Sequence, residues 1–264
     1  MTTTTKPAKP FTIAKGLSKM QWIDQITKQP KNVIGSNNKL KKDKIYQWSI
    51  PAFKSTIVRN GSLYTMKTCP NAGECASLCY ACQGGYNFKS SMIAHARNLN
   101  EYLNYPNRLK ARLIDSINNT NLNAFRIHDS GDFFNKTYAL WWFSIIEALP
   151  HIQFYAYTKQ VKMFKETLKT NIPKNLSLIF SYGGKEDHLI DESTDRHSKV
   201  WMAKEEMKKA GYSDTTKSDK NASNPKIKNI GLVYHGIMNV SRFNDMSMGT
   251  KTLTVVQIKR KKNV

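Results

Sequence analysis

From residue 90 to residue 182 the chain alternates helical and strand periodicity, and this alternation limits the fold more than any other feature. Met92, Ile93, Ala96, Leu99 and Leu103 recur at helical spacing. A second helix is predicted near 107–117. A third runs over 138–149, with Leu140, Trp141, Ile145 and Leu149 on its apolar side and Pro150 beyond its end. A fourth covers 160–169. Between them, residues 124–129, 152–158 and 176–182 are short apolar runs that read as strands. Such alternation implies parallel βα units. Ligands in these sheets lie at the carboxyl ends of the strands, where this chain has Asp129, Ser130, Asp132, Thr158, Lys159, Ser181 and Tyr182.

The four cysteines carry the strongest chemical signal. Cys69, Cys75, Cys79 and Cys82 all fall within fourteen residues, and the chain has no others. A disulfide framework scatters its cysteines, so this pattern argues for a metal or cluster site. Zinc knuckles are usually separated by a dozen or more residues, and no such spacer is present. One winding loop of thiolates suits an iron–sulfur cluster better, with zinc the alternative.

The spacing Cys75-x3-Cys79-x2-Cys82 resembles that of radical S-adenosylmethionine (SAM) enzymes, in which three thiolates hold a four-iron cluster and leave one iron for SAM. A second triple, Cys69, Cys75 and Cys79, fits as well. It places Tyr80-Ala81 directly after the last ligand, as many members of that family do. The sequence leaves the register open, with the second triple slightly preferred. Ser130-Gly131-Asp132 stands where that family's Gly-Gly-Glu motif holds the SAM amino group, with Ser for Gly and Asp for Glu. The resemblance implies cofactor contacts from Ser130, Gly131, Asp132, Tyr80, Lys159 and Ser181. It also implies an α/β fold, an incomplete (β/α) barrel of radical SAM type. The competing role of Asp132 is a helix cap, for which Asn135 is the better candidate. His128 and Asp129 are equally readable as a structural hydrogen-bonded pair, and Arg126 as a barrel-wall charge.

A wider resemblance covers residues 35–240. Thr68-Cys-Pro-Asn-Ala-Gly73, the later cysteines, Gly85-Tyr86, Arg97-Asn98, Arg126-Ile-His-Asp-Ser-Gly-Asp-Phe-Phe134, Trp142 and Phe154-Tyr-Ala-Tyr-Thr-Lys159 together resemble the phage gene product 88 domain family. That resemblance implies a phage protein but no particular reaction.

Charge bears on partners. Lys plus Arg is 41 against 19 acids, a net +22. Residues 1–62 carry a net +10 and residues 201–264 a net +8, leaving +4 for the centre. Basic flanks suit a polyanion, most directly nucleic acid. Only eight of the 41 are Arg, so lysine-rich composition contributes too. Three regions are expected: a flexible basic N-terminal region over 1–35, with a short helix near 18–27; an α/β domain over 36–240, with a strand at 47–51, a polar loop at 213–229 and a late strand at 230–234; and a C-terminal strand with a basic tail over 241–264. His235, after the late strand, is a minor ligand candidate. Gly183-Gly184 reads as a tight turn, because no Gly-Lys-Ser/Thr follows. Trp48, Tyr80 and Tyr86 are candidates for stacking on adenine or a base. No apolar run approaches the roughly 20 residues of a membrane helix, and Met1–Pro10 lacks the apolar core of a secretory signal. A cytoplasmic protein is expected, in the host if phage-encoded.

Two functions compete. The first is a radical SAM-like iron–sulfur enzyme with a 4Fe–4S cluster and SAM, modifying a nucleic acid or nucleotide. The second is a non-catalytic nucleic-acid-binding protein whose metal or cluster staples the loop.

Overall fold

The computed structural model describes residues 13–77 and 79–234. The expected N-terminal arm before residue 13, His235, the strand near 253–256 and the C-terminal basic tail lie outside the described residues.

Seven parallel strands form one curled, half-barrel sheet. They are β1 (Ile45–Trp48), β4 (Ala124–Ile127), β5 (Phe154–Thr158), β6 (Leu176–Ser181), β7 (His197–Trp201), β8 (Ser213–Asp214) and β9 (Asn229–Val233). The spatial order β1-β4-β5-β6-β7-β9-β8 advances in one direction along the chain, apart from the last pair. Strands β2 (Lys54–Arg59) and β3 (Ser62–Lys67) make a separate antiparallel hairpin. Its Asn60-Gly61 turn has both residues at positive φ, 49° and 73°, the conformation that Asn-Gly favours in two-residue hairpins.

One sheet face packs under α3 (Lys89–Asn104), α4 (Pro106–Asn118) and α5 (Lys136–Ile146). Leu99, Leu109, Leu113, Ile117, Trp142 and Ile145 bury against Phe125, Ile127, Phe154 and Ala156. The opposite face carries Ala124, Arg126, Tyr155 and Ile179. It is covered by α2 (Asn38–Lys41) through Leu40 and by α7 (Lys220–Ser223) through Ala222, while α6 (Lys204–Lys209) lies between β7 and β8 in the chain. The period-two alternation of each strand thus serves two cores.

Several elements differ from the sequence reading. The strand expected at 47–51 lies at Ile45–Trp48, because Ile50 turns to donate its N–H to the Ser130 carbonyl and to accept from the Ser130 hydroxyl. The helix expected at 160–169 is a single π-helical turn, Met163–Thr167, followed by a 3-10 turn, Lys169–Asn171. Residues 13–35 belong to the packed body. The helix α1 (Lys19–Thr27), with Ser18 and Gln21 in a capping box, buries Trp22 and Ile26 against the hairpin and α3. The segment 213–229, expected as a polar loop, carries β8 and α7 and contributes the buried Asp219.

Candidate functional site: the cysteine loop over the strand ends

The chain from Thr68 to Phe88 crosses the carboxyl ends of the sheet as three short 3-10 turns, Glu74–Ala76, Tyr80–Cys82 and Gly84–Asn87. It is pinned at one side by the turn after β6. The N–H groups of Gly73 and Cys75 both donate to the Gly183 carbonyl, at 3.2 and 3.1 Å, and Ala72 forms a bridge with Gly184. Gly183 has φ 94°, which is why glycine suits that corner. Asn71 reaches the turn after β5 through Gln160, at 2.8 Å. At the other side the base of the hairpin supports the loop. Phe53, held at φ 61°, donates its N–H to the Cys69 Sγ at 3.3 Å.

The thiols feel one another electrostatically. Burial pushes the Cys69 thiol well up, with the Asp132 charge and the Cys75 and Cys79 thiols adding to it. Burial also raises Cys75, against the pull of the Lys159 ammonium. Cys79 and Cys82 hydrogen-bond to each other, which raises Cys79 and draws Cys82 toward thiolate. The chemistry of this donor set, four thiols on one loop over strand ends, fits a thiolate-ligated cluster. As placed, no group of three or more His, Cys, Asp or Glu side chains among the described residues closes around an ion.

The Ser-Gly-Asp motif after β4 lies below the loop. Ser130 Oγ donates to the Ile50 carbonyl at 2.7 Å. Gly131 sits at φ 87°, and a Cβ there would meet Ile50 Cγ1 at 2.3 Å, so only glycine fits. Asp132 is buried and accepts from Thr158 Oγ1 at 2.7 Å, from the Lys159 N–H at 3.0 Å and from the Phe133 N–H at 2.7 Å. Burial outweighs these bonds and pushes its pKa up to about 6. Asp132 therefore ties the end of β4 to the end of β5, and Asn135 caps α5 through the Tyr138 N–H.

Lys159 lies beyond β5 with its ammonium directed at the end of β6. It donates to the Ser181 carbonyl, the Ser181 Oγ and the Tyr182 carbonyl at 2.8–3.0 Å. Three of the sequence-derived candidates, Asp132, Lys159 and Ser181, thus form one chain of contacts.

His128 and Asp129 are not a pair. His128, at φ 66°, turns into an aromatic box of Trp48, Phe133, Tyr138 and Trp142 and bonds the Tyr138 hydroxyl at 2.7 Å. Burial there lowers its pKa to about 3, so it is neutral. Asp129 faces the cysteine loop instead. Tyr86 donates to its Oδ2 at 2.5 Å and Gln47 at 3.2 Å, while the Tyr80 hydroxyl donates to its backbone carbonyl. Arg126 is no bare wall charge. It is buried, sits 3.3 Å from Asp129 and 3.0 Å from Asp219, and stacks its guanidinium over Tyr157 at 5.0 Å. Asp219 also takes the Tyr155 hydroxyl at 2.7 Å and Lys39 at 2.6 Å. Sequence reading missed this network, because Asp219 lies 93 residues from Arg126 and farther still from Lys39.

Comparison with known proteins decides the family. A profile of the family described as Gene product 88 matches residues 26–244. The chain belongs to the gene product 88 family. It is 31% identical over 124 residues to the Gene 88 protein of Mycobacterium phage L5, covering 43% of this chain and 52% of that relative. The chain thus spans about half the length of that gene product 88 relative. No solved structure matches it. Among the described residues of this gene product 88 chain, no helix is long and apolar enough to cross a membrane.

Proposed function

We propose that this gene product 88 chain is an iron–sulfur enzyme of radical SAM-like type acting on a nucleic acid or nucleotide. The observation that carries the reading is the seating of a four-thiol loop across the carboxyl ends of a singly wound, curled parallel sheet. Three of Cys69, Cys75, Cys79 and Cys82 would hold a four-iron cluster, with Cys75 and Cys79 common to both triples. Such a cluster, when bound with SAM, supplies one electron for SAM cleavage and thereby a radical that removes hydrogen from the substrate.

The remaining work falls to the chain. Lys159, its three N–H groups held by Ser181 and Tyr182, would offer the field of a fixed positive charge to a carboxylate such as that of SAM. Asp132 fixes the Lys159 backbone and so the place of that cation. Ser130 and Gly131 hold β4 against the end of β1, which keeps the floor of the site closed to water. Tyr80, on the loop itself, offers an aromatic face beside the cysteines.

Single Cys-to-Ala variants, purified without oxygen and assayed for iron and acid-labile sulfide, test this reading. An open iron requires three thiolates, so three variants should lose most iron and one should keep it. Loss in all four variants supports instead a closed, structural site in a nucleic-acid-binding protein.

A further inference from the structure

The rim of the cysteine loop carries a charge pattern that the cofactor reading does not use. Between Asp43 and Glu101 stand Lys44, Lys54, Arg59, Lys67, Lys89 and Arg97 against one acid, Glu74. The fold gathers much of this stretch around the loop. Lys54 and Lys67 sit directly opposite each other at the base of the hairpin, one residue from Phe53, whose N–H meets Cys69. Ala52, Cys79, Ala81, Cys82, Tyr86 and Met92 pack together. That cluster sets the base of the hairpin against the loop and the first turn of α3, which begins at Lys89. Ion pairs among the described residues lie elsewhere and leave Lys54, Lys67 and Lys89 without a carboxylate. Like charges facing each other across two strands destabilise a hairpin, so this pair costs stability until an anion meets it. Beside the cations two rings remain in water. Phe88 is 67% exposed and Tyr80 45% exposed.

Unpaired cations on a rim that also carries exposed aromatic rings match a phosphate backbone whose bases are free to stack. A duplex hides those base faces, and the aromatic half of the pattern would then have no partner. We propose that single-stranded nucleic acid binds along this rim, with Lys54, Lys67 and Lys89 on phosphates and Phe88 and Tyr80 under bases. The inference rests on the proposed substrate class and moves its contact from the ends of the chain to the mouth of the cysteine loop.

Fluorescence anisotropy of the anaerobically purified protein tests it. The probes are labelled DNA and RNA single strands of about 20 nucleotides, long enough for one such site, and the matching DNA duplex. Single strands should bind at least tenfold tighter than duplex, and the DNA and RNA arms identify the sugar preferred. Three phosphate contacts give a slope of log K against log salt of about −2. The K54Q/K67Q/K89Q variant should remove that slope component. Phe88→Ala should weaken single-strand binding by roughly 5- to 100-fold and leave the iron content unchanged. Equal affinity for duplex overturns the proposal. So does binding that survives both variants and disappears when residues 241–264 are removed. Failure of the two readings is distinguishable. An iron-free protein that still grips single strands through these residues sinks the cofactor reading alone. An iron signal that answers to SAM in a protein indifferent to every oligonucleotide sinks this surface alone.

Discussion

Gly73 and Gly184 meet backbone to backbone: a Cβ built on Gly73 would lie 3.0 Å from both the carbonyl carbon and the oxygen of Gly184. This contact lets the cysteine loop lie flat on the turn after β6, where Gly73 and Cys75 share the Gly183 carbonyl. Gly73→Ala should lift the loop without opening the core beneath it. Overpacking of this kind costs about 1–3 kcal/mol. Iron retention in Gly73→Ala should fall several-fold, while the thermal midpoint drops by only a few degrees. A variant with full iron content would show that this seating does not govern the thiols.

Gly131 makes a tighter demand. Its φ of 87° and the 2.3 Å approach to Ile50 Cγ1 both exclude a side chain. Gly131→Ala should lose about 2–3 kcal/mol from strain plus overpacking, read as a lower denaturant midpoint at unchanged slope. Shortening Ile50 to Ala in the same chain should relieve the clash and give a coupling of at least about 1 kcal/mol in a double-mutant cycle. Strict additivity would contradict the contact.

The Arg126–Asp219 pair holds the 213–229 segment over one sheet face. Asp219→Ala would leave the buried Arg126 with Asp129 alone and Lys39 without its carboxylate. Removing one partner of a buried pair costs about 3–5 kcal/mol. Urea unfolding checks the size of the loss, and protease cleavage within 213–229 in the variant checks its location.

Acid sensitivity follows from two histidines, His128 buried and His95 half-buried. Burial holds the pKa of His128 near about 3 and that of His95 near about 4, whereas both titrate near 6.5 in an unfolded chain. The unfolded state therefore binds more protons below pH 6.5, and stability falls as pH drops from 6.5 toward those values. At pH 5 each histidine costs about 2 kcal/mol. Asp132 acts in the opposite direction. Its folded pKa of about 6 lies above the unfolded value, so it gives back about 1.4 kcal/mol by pH 5. Denaturant titration should thus show a net loss of about 2–3 kcal/mol between pH 7 and pH 5. His128→Gln keeps a polar group for Tyr138 and should abolish most of that loss. An unchanged pH slope in the variant would show that His128 is not held neutral.

What the sequence disclosed depended on how local each cause was. The helices α3, α4 and α5 and the strands β4, β5 and β6 announce themselves by periodicity, and they lie close to where periodicity puts them. The capping pair Ser18 and Gln21 is local too. The hairpin β2–β3 has a local cause as well, Asn60-Gly61 between β-prone runs. Strand β7 was not legible: its buried face is built from His197, Ser198 and Lys199, polar residues satisfied by partners such as Tyr212 and Glu192. The role of Asp219 inside a polar, lysine-rich segment depends on Arg126 and Lys39, far away in sequence. Of the site, the four cysteines were visible as a cluster in sequence, and Lys159 and Ser181 as separate residues at strand ends; their contact was not. The bracing of Asp132 and the turning of Asp129 toward the loop arise only once strands are neighbours.

The most direct test of the account is electron paramagnetic resonance of the anaerobically purified, reduced protein, recorded with and without SAM alongside iron and sulfide analysis. The account predicts close to four irons per chain and a four-iron signal whose shape changes when SAM is added. Zinc in place of iron, or a cluster signal indifferent to SAM, would contradict it.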